Sequence, residues 1–432
     1  MRKAELPRVS AIRVRYKDVP RLTDIEGEVR RQLAAAYAGR ELKGMRIAIT
    51  GPSRGIANYA DLMRAQVAWF KDQGALPFVF GAMGTHGGLS EEAILEVLHD
   101  KGITEEGVGC PVKACLETTV VHSFDTDGPP LVVQCSRVAW EADGIHAFGR
   151  IKRHTDMEND HESGLFKVLA IGAGQVKGAQ SYHDQVLHHG LGWAINTAAR
   201  HLISTGKVIG GLAVIENQYH EPAKVRAFSA ADMDAGEAEF LKEANALMPR
   251  IPLPFIDLLY LYRAGKNISG TGADTKTIQR DVYAPIPGKK AWDLEDPAVW
   301  RIFVSTLTDQ SHGNAVGMGL WEGISKRFYD TVDFQKTHLN AITGFSGAAA
   351  RTPMVFPNDR EGIEVLLGLC PTRTEGRVFV AAMDTLALEH LLVSEDALPL
   401  LEQDKFDIEV EGDPQQLQFD AAGHLVLPFK EH

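Results

Sequence analysis

The sequence predicts an α/β protein built as two lobes, on three observations. Short runs rich in Val and Ile alternate with amphipathic stretches along most of the chain, the pattern of βα units. The 432 residues exceed the roughly 250–300 at which a single core stops growing. The stretch "LMPRIPLPF" (247–255) sets three prolines close together and reads as a domain boundary. The expected division is a lobe over 1–250 and a second α/β lobe over 251–390, with residues from about 390 to 432 free to pack back on the first.

Each element has a local reason. "MRIAIT" (45–50) is an apolar run of strand length, followed by the turn "GPSRGIAN" and an amphipathic helix from about Tyr59 to Gln73. "LPFVFGAM" (76–83) is the next strand. After it comes "GTHGG", then a helix opened by Ser90 as N-cap, with Glu91 and Glu92 in its first turn. "LVVQC", "GIHAFGRI" and "KVIGGLAVI" read as further strands, and 191–205 and 231–247 as long helices. Beyond the proline break, "IDLLYLY", "RIFVSTLT", "PMVF" and "RVFVAAM" continue the alternation, with an N-cap at Asn358 or Asp359. The acidic "DKFDIEVEGDPQQLQFD" reads as a late hairpin or tail.

Composition narrows the function classes. A net charge of −12, from 57 acidic and 45 basic residues, argues against a surface that tracks nucleic-acid phosphates. No run approaches a membrane span and the start lacks a signal-peptide core, so a cytoplasmic setting is expected. The four cysteines, at 110, 115, 135 and 370, do not make a zinc spacing and are expected as buried thiols.

Ligand sites of α/β sheets lie at the carboxyl ends of strands, and Arg54, His86 and His154 each fall just past a predicted strand. Arg54 in its Gly/Ser turn suits a phosphate or carboxylate, or is an ordinary βα turn residue. His86 sits among glycines that let backbone approach a ligand, and an imidazole there can move protons. Lys167 lies in the apolar "GLFKVLAIG", where an amine loses hydration and becomes nucleophilic; a snorkelling lysine is the other reading. His183, sixteen residues on, could ligate a metal. In the second lobe "YRAGKNISGTGADTKTIQRD" (262–281) offers Lys266, Asn267 and Ser269 to a hydroxy or carboxylate ligand, or is a loop held by its own Asn and Asp side chains.

Taken in order, Arg54, "GTHGG", "RIKRHTD…ESGLFK", "SYH", "GKNISGTGADT" and "THLNAITG…PMVFPNDREGI" resemble the lactate racemase family of nickel-pincer-nucleotide isomerases, over nearly the whole chain. The resemblance implies a cofactor site in the cleft between the lobes and a pyridinium mononucleotide carrying nickel on two sulfur arms and a ring carbon. It implies Lys167 as the covalent anchor, with Ser163 and Gly164 beside it, and His183 as nickel ligand. It further implies His86 and His154 as acid and base, Arg54 as substrate clamp, and dependence on cofactor-biosynthesis enzymes. The run before the lysine is "DHESGLFK", where lactate racemases carry a Gly-Phe-Ser-Gly-Gly type, and "RAGKNISGTGADTK" replaces their Tyr-Gln and Lys motif. The expected substrate is therefore a larger or more oxygenated 2-hydroxy acid than lactate, racemised or epimerised by hydride transfer to the cofactor. A metal-dependent lyase or dehydratase using His86, His154 and His183 around a divalent ion is the alternative enzyme, and a non-catalytic ligand-binding protein is the third reading. Homo-oligomerisation stays open.

Overall fold

A computed structural model describes residues 3–17, 19–86, 88, 90–283, 289–292, 294–371 and 376–429; Gly87, in the glycine-flanked turn at His86, lies outside them. It is α/β throughout and divides into two compact units, residues 19–248 in one and residues 1–18 with 249–432 in the other. β1 (Arg8–Arg15) opens the chain.

The 19–248 unit is built on β2 (Arg46–Pro52), β3 (Leu76–Ala82), β4 (Val112–Lys113), a separate hairpin of β5 (Thr118–Phe124) and β6 (Leu131–Ser136), then β7 (Gly144–Arg150), β8 (Val208–Glu216) and β9 (Pro222–Ser229). The main sheet runs β4-β3-β2-β7-β8-β9, parallel except for the antiparallel β8/β9 edge. Its strands are apolar on both faces because helices cover both. Ala48, Ile145, Ala147, Ala213 and Ile215 pack into one core, while Ile47, Ile49, Phe148, Leu212 and Val214 pack into another. That odd-even split is the pleat of a doubly covered sheet. Helices Tyr59–Asp72, Leu191–Ser204 and Met233–Ala246 lie where the apolar periodicity predicts them. Ser90 caps the helix Glu91–His99, its hydroxyl accepting from the Ala93 amide at 3.1 Å.

The other unit continues with β10 (Phe255–Ala264), β11 (Ala298–Leu307), β12 (Gly323–Ser325), β13 (Met354–Phe356), β14 (Phe379–Ala382), β15 (His390–Ser394) and β16 (Asp407–Gln416), in the order β13-β12-β11-β10-β14-β15-β1-β16. β10 to β14 run parallel, and β15, β1 and β16 complete the sheet antiparallel. Sequence reading groups residues 1–18 with the first lobe; β1 instead lies between β15 and β16. Its reason is burial: Val9 packs into one core of this unit and Ile12 and Val14 into the other. Asn358 caps the helix Asp359–Gly368 through the Glu361 amide at 3.0 Å. The acidic segment expected as a hairpin or tail supplies β16. All four cysteines are buried thiols. Among the described residues no helix is long and apolar enough to cross a membrane.

Candidate functional site

From β2 the chain runs to β3 and β4 on one side, then returns to β7 and β8 on the other. Such a reversal opens a crevice at the carboxyl ends of the central strands. Arg54 follows β2, His86 follows β3, Arg150 closes β7 and His154 follows it.

The first two meet. Arg54 Nη2 lies 3.5 Å from His86 Nε2, and Ser53 Oγ lies 3.3 Å from His86 Nδ1. An arginine only donates, so this contact leaves the lone pair on Nε2 and the proton on Nδ1, facing the serine hydroxyl. Arg54 has an exposed side chain, yet protein packed around its guanidinium, and then the Arg150 charge, pull its pKa down. Exposure keeps that effect modest, and the group stays cationic. Arg150 in turn pairs with Glu216 at the end of β8, whose other oxygen accepts from the Ala57 amide at 2.9 Å. Glu216 thereby ties the Arg54 turn to β7.

Lys167 reaches the same place from the far end of the loop after β7. It closes the short turn Leu165–Lys167, which runs on through a π-helical stretch, Val168–Gly172, into the helix Ala173–His183. The residue as a whole is half-buried, but its amine is enclosed. Burial first, and then the Arg54 charge, bring its pKa down to about 7; Lys152 adds to this and Asp156 opposes it. The exposed part of the residue does not offset this, because the protonated head bears the desolvation cost. The π-helical stretch is fastened to β3: the Gly84 amide donates to Gly172 O at 3.4 Å, and a Cβ on Gly84 would stand 2.7 Å from Ile171. That contact brings the His86 turn and the Lys167 segment together.

The loop between β7 and Lys167 is closed by a two-bond bridge, Lys152 N–H to Ser163 O at 2.9 Å and Ser163 N–H to Lys152 O at 3.1 Å. Within it His154 donates its amide to the Glu162 carboxylate, and its Nδ1 accepts from the Asp156 amide at 3.1 Å. The neutral ring therefore carries its proton on Nε2. Gly164 has a structural cause: the space a Cβ would take is filled by the carboxylate of Glu237. His183 ends its helix half-buried, with Nδ1–H donating to Ala179 O at 2.7 Å. This leaves the Nε2 lone pair available to a ligand, as in metal-binding histidines.

Lys266, Asn267 and Ser269 belong to the other unit, in the loop after β10. Lys266 Nζ donates to Gly270 O and Asn340 Oδ1, both at 2.6 Å, and Asn267 Oδ1 accepts from Thr308 Oγ1 at 2.7 Å. Ser269 is buried, 3.5 Å from the Thr271 hydroxyl. The three-histidine donor set of the alternative enzyme is not gathered. Among the described residues no group of three or more His, Cys, Asp or Glu could hold a metal ion.

Sequence reasoning missed Glu216, Arg150 and Glu237. An acid closing "GLAVIE" and a base closing "AFGR" mark the first two, at the ends of neighbouring strands. Nothing local marks Glu237, which reaches Gly164 from the helix Met233–Ala246.

No known family profile matches the sequence, and no curated protein matches it. Among solved structures the chain is similar to the lactate racemase apoprotein from Thermoanaerobacterium thermosaccharolyticum, at 13% identity and a TM-score of 0.45, over 67% of this chain and 69% of that one.

Proposed function

We propose that the protein is a racemase or epimerase of a 2-hydroxy acid, working with a nickel-pincer nucleotide. The observation that carries this reading is the enclosed Lys167 amine, brought to about pKa 7 beside the Arg54–His86 pair. The residues fit the group: Lys167 offers an amine partly unprotonated at neutral pH, and His183 offers an Nε2 lone pair. Lys167 would link the nucleotide and His183 would ligate nickel, with Ser163 and Gly164 fixing the chain ahead of the anchor. When bound, the group supplies a hydride acceptor for C2 of the substrate.

The protein's own part is binding and proton transfer. Arg54 pairs with the substrate carboxylate, for which a guanidinium fork is suited. His86, with its Nε2 lone pair, takes the proton from the substrate hydroxyl; His154, with Nε2–H, gives one. The opposite enantiomer exchanges the two roles, and inversion requires one such group for each direction. Lys266, Asn267 and Ser269 are assigned to recognition of a substrate more oxygenated than lactate. The deciding experiment uses substrate deuterated at C2 and protein co-produced with the cofactor-making enzymes. Inverted product that keeps its deuterium is expected; washout into solvent in step with inversion sinks the hydride route.

A further inference from the structure

We infer that Glu237 and Asp234, one turn apart on the helix Met233–Ala246, are positioning residues that hold the Lys167 segment and its loop in working geometry. This rests on the reading of Lys167 and His154 as the working groups. Glu237 Oε2 accepts from the Phe166 amide at 3.1 Å, and its carboxylate also takes the Leu165 amide. Those are N–H groups of the first turn leading into Lys167, which have no partner inside their own helix. Capping of this kind normally comes from the residue just before a helix. Here that residue is Gly164, which has no side chain to offer and leaves its Cβ space to Glu237. Glu237 is thus a cap supplied in trans.

Asp234 holds the other end of the same strap. Its carbonyl accepts from His161 Nε2 at 2.9 Å, and its Oδ1 lies 3.2 Å from the same nitrogen. Arg200 fixes the Asp234 carboxylate through bonds of 2.7 and 3.1 Å. The His161 ring stacks on Phe166 at 3.8 Å between centroids. The segment 161–166 is therefore clamped at both ends to one helix face, with Glu162 bonded onward to the His154 amide. Burial raises the Glu237 pKa to about 8, so the carboxyl is mostly neutral at pH 7 and a glutamine is its close stand-in.

The test uses the full chain made without cofactor and reads the pH midpoint at which trace acetic anhydride labels Lys167, by peptide mass spectrometry. Exposed Lys177 serves as the internal control. Wild type should give a midpoint near 7. Glu237→Ala frees the first turn and admits water, so its midpoint should rise by at least about one unit, a roughly tenfold loss of labelling at pH 7. Glu237→Gln should restore the wild-type midpoint, which a merely stabilising role does not predict. A folded Glu237→Ala protein with an unmoved midpoint overturns the inference. Should that variant not fold, Gly164→Ala pushes the same carboxylate off the amides, and an unmoved midpoint there overturns it equally. Wild type that lacks racemase activity but shows the Glu237-dependent midpoint defeats the functional reading and leaves the cradle standing.

Discussion

The imidazole of His146 is buried in β7, its Nδ1 2.6 Å from Tyr37 Oη and its Nε2 3.0 Å from Gln66 Oε1. The glutamine oxygen only accepts, so Nε2 carries the proton and Tyr37 donates to Nδ1. Burial lowers the pKa to about 3. In the unfolded chain the same ring takes a proton near 6.5. The unfolded state therefore binds the extra proton as pH falls below 6.5, and stability drops through the window from 6.5 toward 3. One such group contributes about 1.4 kcal/mol per pH unit, and His161, also lowered mainly by burial, adds to it. The melting temperature should fall steeply below pH 6.5 in wild type and less steeply in His146→Gln, measured by thermal melts across pH 4–8. A slope unchanged in the variant would remove His146 from the acid limb. Lys266 makes a second prediction. One of its two bonds closes the loop after β10 on Gly270 and the other ties it to Asn340, so Lys266→Ala should cost about 1–3 kcal/mol and speed hydrogen exchange in the loop. Under the proposed function, the same variant should raise KM without lowering the nickel content of protein co-produced with the cofactor-making enzymes. That Arg54 and His86 meet was legible because α/β sheets bring the turns past neighbouring strand ends together, and the enclosed amine of Lys167 was legible from its apolar neighbours in sequence. Glu237 was not legible, since it acts on a segment about 70 residues away and nothing near it in sequence differs from an ordinary helix.

The stretch Val168–Gly172 shows why the glycines around Lys167 recur. A Cβ on Gly172 would sit 2.8 Å from Ala82 O, so only glycine lets this turn lie against the end of β3. Just beyond, Gln175 takes φ 54°, a conformation strained for a side-chain-bearing residue, and its Nε2 donates to Gly81 O at 2.6 Å. The two residues together pin the helix Ala173–His183 to the strand that leads to His86. Gly172→Ala should therefore cost about 1–3 kcal/mol by overpacking and shift the His86 ring resonances in NMR spectra. Loss of stability without any shift at His86 would show that the strand end and its turn are uncoupled. The buried parallel strands were readable as unbroken Val/Ile runs. β5 and β9 were not, because β5 is half-exposed and β9 mixes Lys and Arg into an edge strand. The irregular helix was unreadable for a different reason: glycine content signals close approach but not what is approached.

At the scale of the whole chain, β1 lies far in sequence from the unit it completes. Val9, Ile12 and Val14 are each at most 5% exposed, and β1 fills the place between β15 and β16. Burying such a side chain contributes about 1.5–3 kcal/mol, so three of them amount to a large share of the 5–15 kcal/mol that typically separates a folded domain from its unfolded chain. Leaving the slot empty also strands the facing backbone groups of β15 and β16. The 19–248 unit, by contrast, has its own sheet with cores on both faces. Residues 19–248 expressed alone should melt cooperatively. Residues 19–432 should keep that transition while the second unit becomes protease-sensitive and loses its own. A fragment cut at the proline break, 1–250, should carry β1 as an unpaired apolar strand and aggregate more than 19–248 does. Adding the 1–18 peptide to 19–432 should restore protection of the second unit. Equal protease resistance of 19–432 and the full chain, or equal solubility of 1–250 and 19–248, would show that β1 contributes little and that the proline break marks the energetic boundary as well as the sequence one.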